Sequence, residues 1–418
     1  MKASAISVDI SPDGQVPLGA ATGADRATWL GISEPIEATF LAIWPDGEQP
    51  VLIVSLDLLY PGRILRAAIE RAADLAPERI FVAATHTHRA PMTDDTKPRL
   101  GMPDSQYMQW LVAKVGDATR DVLDPARAVD VTMRVGTGFA EHSINRRLRK
   151  KVVVGRRFRV NEVVMAPNPS GETDETLGVI AFVADGGEPV GVIWNYACHP
   201  VGFPHLNTIA AHYPGVVRDA LRAHVGNSEL PVAFLQGFSG DTRPSASTKV
   251  HSARRRLRQL VMGRLFDDMT EHAYLEWAGS LAVRVKEVFD RAEDRMSDVV
   301  RARRVERVSA DFVKGAKEPV VFHSVDLADV TLVGISGEAV SGYAARVRAL
   351  VPSRIIFCVG CIDHPFGYVP TARILAEGGY EGGGFCGAFG LESLNASIES
   401  DVMAGFASVL SSYENQQA

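Results

Sequence analysis

The sequence predicts an α/β protein with a mixed central β-sheet flanked by helices. Three observations predict it. Short apolar runs rich in β-branched residues recur along the chain. Helical periodicities alternate with them. Several of the runs end in residues that carry chemistry.

In order, strands are expected at 37–44 and 50–57, around Phe40–Leu41–Ala42–Ile43 and Val51–Leu52–Ile53–Val54. A helix at 62–76 leads to a strand at 80–84 and a second helix at 103–124. The middle of the chain is strand-rich, at 128–139, 177–184 and 188–196. A helix at 213–225 precedes a strand at 230–236. A long helix at 270–293 precedes strands at 319–325 and 328–335. A helix at 339–349, a strand at 354–359 and a helix at 391–412 complete the pattern. Pro167–Asn168–Pro169–Ser170–Gly171 marks 160–176 as an exposed loop, and 240–265 opens as a polar loop that turns Arg-rich. No repeat or linker interrupts the pattern, so one catalytic domain over 1–418 is expected.

The bulk numbers agree. Of 418 residues, 46% are hydrophobic and 22% charged, which is ordinary globular composition with ample core. A net charge of -6 argues against a general nucleic-acid binder. No stretch approaches the length of a membrane span, and the N-terminus carries no apolar signal core, so a cytoplasmic protein is expected. Cys198, Cys358, Cys361 and Cys386 do not make a disulfide framework in a chain this long.

The chemistry concentrates at strand ends. Ile80–Phe81–Val82–Ala83–Ala84 runs into Thr85–His86–Thr87–His88. In an extended chain residues i and i+2 share a face, so His86 and His88 can address one site together. A second apolar run, Val192–Ile193–Trp194–Asn195–Tyr196, ends at Cys198–His199–Pro200. Two strands ending in histidines form the skeleton of a hydrolytic metal site, whose third ligand should be a carboxylate. Val330–Thr331–Leu332–Val333–Gly334–Ile335 supplies one at Glu338, although an acid at a helix start is also favoured by the helix dipole. Gly237–Phe238–Ser239–Gly240–Asp241–Thr242–Arg243–Pro244 is a glycine-bracketed loop after another apolar run. Such loops line pockets, and Asp241 and Arg243 are its candidate substrate-binding residues. Tyr368 and Tyr380 lie in glycine-containing stretches that can bring phenols close to a site.

These residues resemble the catalytic domain of the neutral (alkaline, non-lysosomal) ceramidase family. The matching pieces are Val8–Asp9–Ile10–Ser11–Pro12, Thr85–His86–Thr87–His88 with Pro91, Asn145–Arg146 and Cys198–His199–Pro200. Gly240–Asp241 with Pro244, Gly337–Glu338, Tyr368–Val369–Pro370–Thr371 and Tyr380–Glu381 continue the series in the family's order. The resemblance implies one Zn2+ held by His86, His199, Glu338 and Tyr368, and an amide cleaved by metal-bound water. It places His88 beside the zinc as a proton shuttle or orienting group. It assigns Arg146 and Tyr380 to the substrate carbonyl and its developing oxyanion.

The departures matter as much. Gly240–Asp241–Thr242–Arg243–Pro244–Ser245 stands where the family has Gly-Asp-Val-Ser-Pro-Asn, so Arg243 replaces a serine. A cation there points to an anionic substrate, or else it pairs with Asp241 or another acid. The family's signal segment and C-terminal immunoglobulin-like domain have no counterpart in the sequence. The expected substrate is therefore a small soluble amide or ester, with no nucleic acid and no membrane as partner and a homo-oligomer left open. His205 and His212 lie downstream of His199 as second ligands or rim groups.

Three rivals remain. Cys358–Val359–Gly360–Cys361 could be a thiol site, though buried small hydrophobes explain it better. Two basic clusters could bind anions or nucleic acid: Arg146, Arg147, Arg149, Lys150, Lys151, Arg156, Arg157 and Arg159, and Arg254, Arg255, Arg256 and Arg258. An esterase or lactonase could use the same zinc site, since ester and amide pass through the same oxyanion. No Gly-x-Ser-x-Gly elbow is present, which argues against serine chemistry.

Overall fold

A computed structural model describes residues 1–19, 30–154, 157–205, 207–246, 265–266, 269–295 and 299–410, without the side chains of 151–161. The larger sheet contains β1 (Lys2–Asp9), β2 (Glu37–Trp44), β3 (Val51–Leu56), β4 (Ile80–Ala84) and β5 (Val129–Phe139). A two-stranded ribbon follows, β6 (Ser143–Val154) and β7 (Arg157–Asn168). The chain then returns to the larger sheet with β8 (Thr176–Ala184), β9 (Pro189–Tyr196) and β10 (Val232–Gln236). The strand order is β10-β9-β8-β5-β1-β2-β3-β4, with β12 (Glu293–Arg295) on β5. Only β3/β4 and β9/β10 pair in parallel along this path. β11 (Thr242–Pro244) adds to the edge of β6.

A second sheet has the order β13-β15-β16-β18. Its strands are Val300–Arg307, Val320–Leu327, Val330–Ile335 and Ile355–Val359, and β16/β18 is its parallel pair. Two short pairs join distant loops: β14 (Val313–Lys314) with β20 (Ser393–Leu394), and β17 (Glu338–Ala339) with β19 (Tyr368–Val369).

Side-chain alternation explains the layering. Along β2, Ala38, Phe40 and Ala42 face one core while Leu41 and Ile43 face another. The first core is covered by α1 (Gly62–Ala73) and α2 (Ser105–Val122), through Leu65, Ile69, Leu111 and Val115. The second lies between the sheets, where Leu41, Phe81 and Ile193 meet Val325, Leu332 and Phe357. On the far half of the larger sheet, Trp194 and Phe234 pack under α3 (Tyr213–Val225) and α4 (Glu271–Asp290). The outer face of the second sheet packs Phe322 and Ile356 against α5 (Gly342–Leu350) and α7 (Ile398–Leu410). α6 (Ala372–Glu377) caps the loop between β19 and β20. Each fully buried Leu, Ile, Val or Phe contributes about 1.5–3 kcal/mol, so these four clusters supply the main driving force for the fold.

The mixed α/β class with helices flanking mixed sheet is as expected, and the strands divide between two sheets. Two sheets pack face to face, with helices outside both. Apolar runs are equally hydrophobic whichever sheet they join, so periodicity does not separate them. The expected loop at 160–176 is corrected: β7 continues to Asn168 and turns only at Pro169–Gly171. β6, β7 and β13 escape the sequence pattern because charged residues interrupt their apolar positions, and β1 because serines and alanines dilute its own. The Arg254–Arg258 cluster lies outside the described residues.

Candidate active site

Four parallel pairs aim their carboxyl ends at one place. The loops after β4, β9, β10, β16 and β18 meet there, which is where open α/β sheets present ligand sites. His86 and His88 follow β4, and His199 follows β9. Ser239–Asp241 follow β10, Glu338 follows β16, and Tyr368 stands on β19 opposite Glu338 in register.

His86 does not continue the strand as its spacing implied. β4 stops at Ala84, and His86 takes φ of 65°, a left-handed conformation that costs a non-glycine residue about 1–2 kcal/mol. The kink, rather than strand alternation, brings His86 and His88 together.

The imidazole tautomers follow from their partners. His86 Nδ1 lies 2.9 Å from the Leu59 carbonyl, and His199 Nδ1 lies 3.0 Å from the Ser239 carbonyl. A carbonyl only accepts, so each Nδ1 carries the proton. In the neutral rings each Nε2 then presents a lone pair. These two Nε2 atoms are 3.0 Å apart, and His88 Nε2 is 3.4 Å from His86 Nε2. Glu338 joins them: its Oε2 is 3.3 Å from His86 Nε2 and 3.6 Å from His199 Nε2. The Tyr60 hydroxyl donates to Glu338 Oε1, whereas buried Oε2 has no hydrogen-bond partner. Acceptor atoms crowded this closely repel one another unless a proton or a metal ion lies between them. His86, His88 and His199 together could hold a metal ion.

The charge states suit a cation. Burial, with the charges of Arg146 and His86, pushes His199 well below the usual histidine range. Burial and His86 do the same to half-buried His88. Burial also opposes ionisation of Glu338, but His86, Tyr60 and Tyr368 outweigh it and hold the carboxyl below its ordinary range. Burial depresses His86 as well, yet Cys361 and Glu338 beside it reverse the effect and raise it. The anionic surroundings that draw a proton to His86 would equally draw a metal ion.

Tyr368 stacks on His199 with centroids 6.4 Å apart and planes at 8°. It interacts electrostatically with Glu338 and with Arg146. Arg146 lies over the Tyr368 ring at 5.4 Å and is locked on its far side. Its Nε donates to Glu381 Oε1 at 2.7 Å and its Nη2 to the Gly240 carbonyl at 2.8 Å. Arg147 Nη1 donates to the other Glu381 oxygen at 2.8 Å. Tyr380 is 37% exposed at the rim, its ring 5.3 Å from that of Tyr368. Tyr380 and Arg146 thus border the cluster on the Tyr368 side.

Other expected residues are placed differently. Asp241 is not available to a substrate: its Oδ1 accepts from Ser341 N at 2.7 Å and its Oδ2 from Asn145 Nδ2 at 3.0 Å. It is a buried clamp between β6 and α5. Arg243 does not pair with Asp241 or with any other described acid. His205 sits at the surface on Glu271 at 3.0 Å, outside the cluster. His212 is buried and donates from Nδ1 to the Pro200 carbonyl, while its Nε2 has no partner. All four cysteines are free and buried, with Cys358 in the outer core of the second sheet. Among the described residues they form no metal group.

Sequence reasoning missed Tyr60 and the pairing role of Glu381. Tyr60 was within reach, since Asp57–Leu58–Leu59–Tyr60 follows the apolar run of β3, which pairs in parallel with β4. Glu381 carried no signal beyond its position next to Tyr380.

No family model matches the sequence, and no curated protein matches it. Solved structures do. The neutral ceramidase from Pseudomonas aeruginosa superposes with a TM-score of 0.77 at 14% identity, over 98% of this chain and 73% of that one. A ceramidase complexed with C2 gives 0.74 at 13% identity, over 99% and 75%. The chain has a ceramidase-like fold. No helix among the described residues is long and apolar enough to cross a membrane.

Proposed function

We propose that this protein is a metal-dependent hydrolase that cleaves an amide bond. One observation carries the reading: the His86 and His199 Nε2 atoms meet at 3.0 Å beside a buried Glu338 oxygen that has no hydrogen bond. The donors are imidazole nitrogens and carboxylate or phenol oxygens, a set suited to zinc. His86, His199, Glu338 and Tyr368 would hold one ion per chain, with His88 adjacent. When bound, zinc polarises a carbonyl and lowers the pKa of a coordinated water to about 7.

The chain's own groups supply the rest. His88, half-buried with its Nε2 3.4 Å from His86 Nε2, would take a proton and return it to the leaving amine. Arg146, fixed by Glu381 and Gly240, holds positive charge beside Tyr368, where an oxyanion would develop. Tyr380 can offer its hydroxyl from the rim. The fold of the ceramidase structures supports the amide over other carbonyl substrates.

The test is elemental analysis of the untagged chain, followed by turnover of matched short-chain amides and esters before and after chelation. About one zinc per chain, with amide cleavage lost on chelation and regained on adding zinc, supports the reading. A chain that takes up no stoichiometric metal refutes it.

A further inference from the structure

Arg243 lies on the His199 side of the cluster. The Thr242 hydroxyl before it reaches the Ala197 and Ser239 carbonyls, each at 3.4 Å, and the Ser239 carbonyl also orients His199. The Arg243 guanidinium packs on Gly202, three residues past His199. Gly202 has φ of +95°, and a Cβ there would stand 3.2 Å from Nη2. One face of the guanidinium covers the Phe266 ring at 4.2 Å.

An acid is missing. Arg66, Arg146, Arg147, Arg218, Arg304 and Arg348 are each largely buried, and each meets a carboxylate. Arg243 is similarly shielded, yet no carboxylate among the described residues pairs with it, and its buried Nε has no hydrogen-bond partner. Burial, and then repulsion from Arg146, lowers its pKa to about 10, so the surroundings disfavour the charge without compensating it. A shielded cation of this kind beside a site is costly to keep and is explained by a ligand that completes it.

We propose that Arg243 receives a carboxylate of the substrate, so that the hydrolase acts on acyl amides bearing a free acid. This rests on the hydrolase reading above and names its substrate class. A planar guanidinium offers parallel N–H donors that match a carboxylate. Arg146 and Arg147, the nearby cations, are already ion-paired, both with Glu381 and Arg147 also with Glu377. The site therefore balances one negative charge rather than a polyanion.

Two measurements test this on the zinc-loaded chain. Calorimetry compares non-cleavable sulfonamides that differ only in carboxylate against carboxamide, butylsulfonylglycine against butylsulfonylglycinamide. Kinetics compares kcat/KM for hexanoylglycine and hexanoylglycinamide. The acid should be preferred by about 10- to 100-fold, the scale of a charged hydrogen-bonded contact. That ratio should fall towards one in Arg243→Ser and be partly kept in Arg243→Lys. A wild-type ratio near one, or a ratio that Arg243→Ser leaves unchanged, overturns the proposal. The latter would mean that the carboxylate binds elsewhere, on zinc for example. Arg243-dependent binding without turnover of any amide would refute the hydrolase reading and leave the anion site standing. Amide turnover with no acid preference would do the reverse.

Discussion

Asp363 and Glu338 are carboxylates buried beyond the ends of neighbouring strands in the second sheet, with relative exposures of 0% and 4%. Asp363 Oδ1 accepts from Arg66 Nη1 at 2.7 Å, and Oδ2 accepts from Arg304 Nη2 at 3.1 Å. Arg66 in turn reaches the Ile80 and Pro77 carbonyls, tying α1 to β4. Glu338 has one oxygen on Tyr60, while the other lies 3.3 and 3.6 Å from the His86 and His199 Nε2 atoms and makes no hydrogen bond. The two surroundings are equally dry and differ in completeness. Where the chain satisfies both oxygens, the cluster holds elements together. Where it leaves a carboxylate oxygen unsatisfied beside two imidazole nitrogens, it has kept a place for something else.

Removing one member from each cluster would break the comparison most sharply. His199→Ala should abolish stoichiometric metal and reduce amide turnover at least a thousandfold, on the order expected when a water-activating ion is lost. It should barely change the thermal midpoint of the metal-free chain, because it relieves lone-pair crowding. It should erase the rise in midpoint that zinc gives the wild type, about 4 kcal/mol at a thousandfold excess over Kd. Turnover persisting in zinc-replete buffer would sink the ligand assignment. Asp363→Ala should do the opposite. It strands Arg66 and costs about 3–5 kcal/mol of stability by urea unfolding, while the folded fraction still binds one zinc. Loss of metal without loss of stability there would mean that the two clusters are one.

A subtler change tests how far the Glu338 cluster depends on its support. Tyr60→Phe removes the hydroxyl that holds Glu338 Oε1 and leaves the ring in place. Metal affinity should weaken about 10- to 100-fold, as when an outer partner of a ligand is deleted. Competition with a chelator of known affinity measures it. An unchanged affinity would show that packing alone orients the carboxylate.

The contrast also explains what the sequence made legible. The ends of β4, β9 and β16 were readable because apolar runs announce buried strands, and His86, His199 and Glu338 stand just beyond them. Asp241 looked like a pocket residue for the same reason, yet Ser341 and Asn145 approach it from elements 100 positions later and 96 positions earlier. Glu381 was hidden likewise, being defined by Arg146 and Arg147 more than two hundred residues earlier. Periodicity reports which residues end a strand. It does not report which distant groups satisfy them, and that decides between a clamp and a ligand. The left-handed turn at His86 shows the same limit, since His-x-His spacing fits an extended chain as readily as a kink.

The smallest effect sharpens the comparison through pH. Burial alone would raise the Asp363 carboxyl, but Arg66 and Arg304 outweigh it and hold the group below its ordinary value of 3.8. A depressed carboxylate contributes stability that is fully present above its unfolded pKa and lost as pH falls towards the folded one. In that window the unfolded chain binds more protons than the folded chain, so stability must drop as acid is added. One such group contributes a slope of at most about 1.4 kcal/mol per pH unit. Asp363→Asn keeps the shape and removes the titration. Its stability should start lower than that of the wild type at neutral pH but fall less steeply below about pH 4. Urea midpoints collected from neutral to acidic pH test this. Parallel curves would show that Arg66 and Arg304 are held by the surrounding carbonyls rather than by the Asp363 charge, and the contrast with Glu338 would then rest on geometry alone.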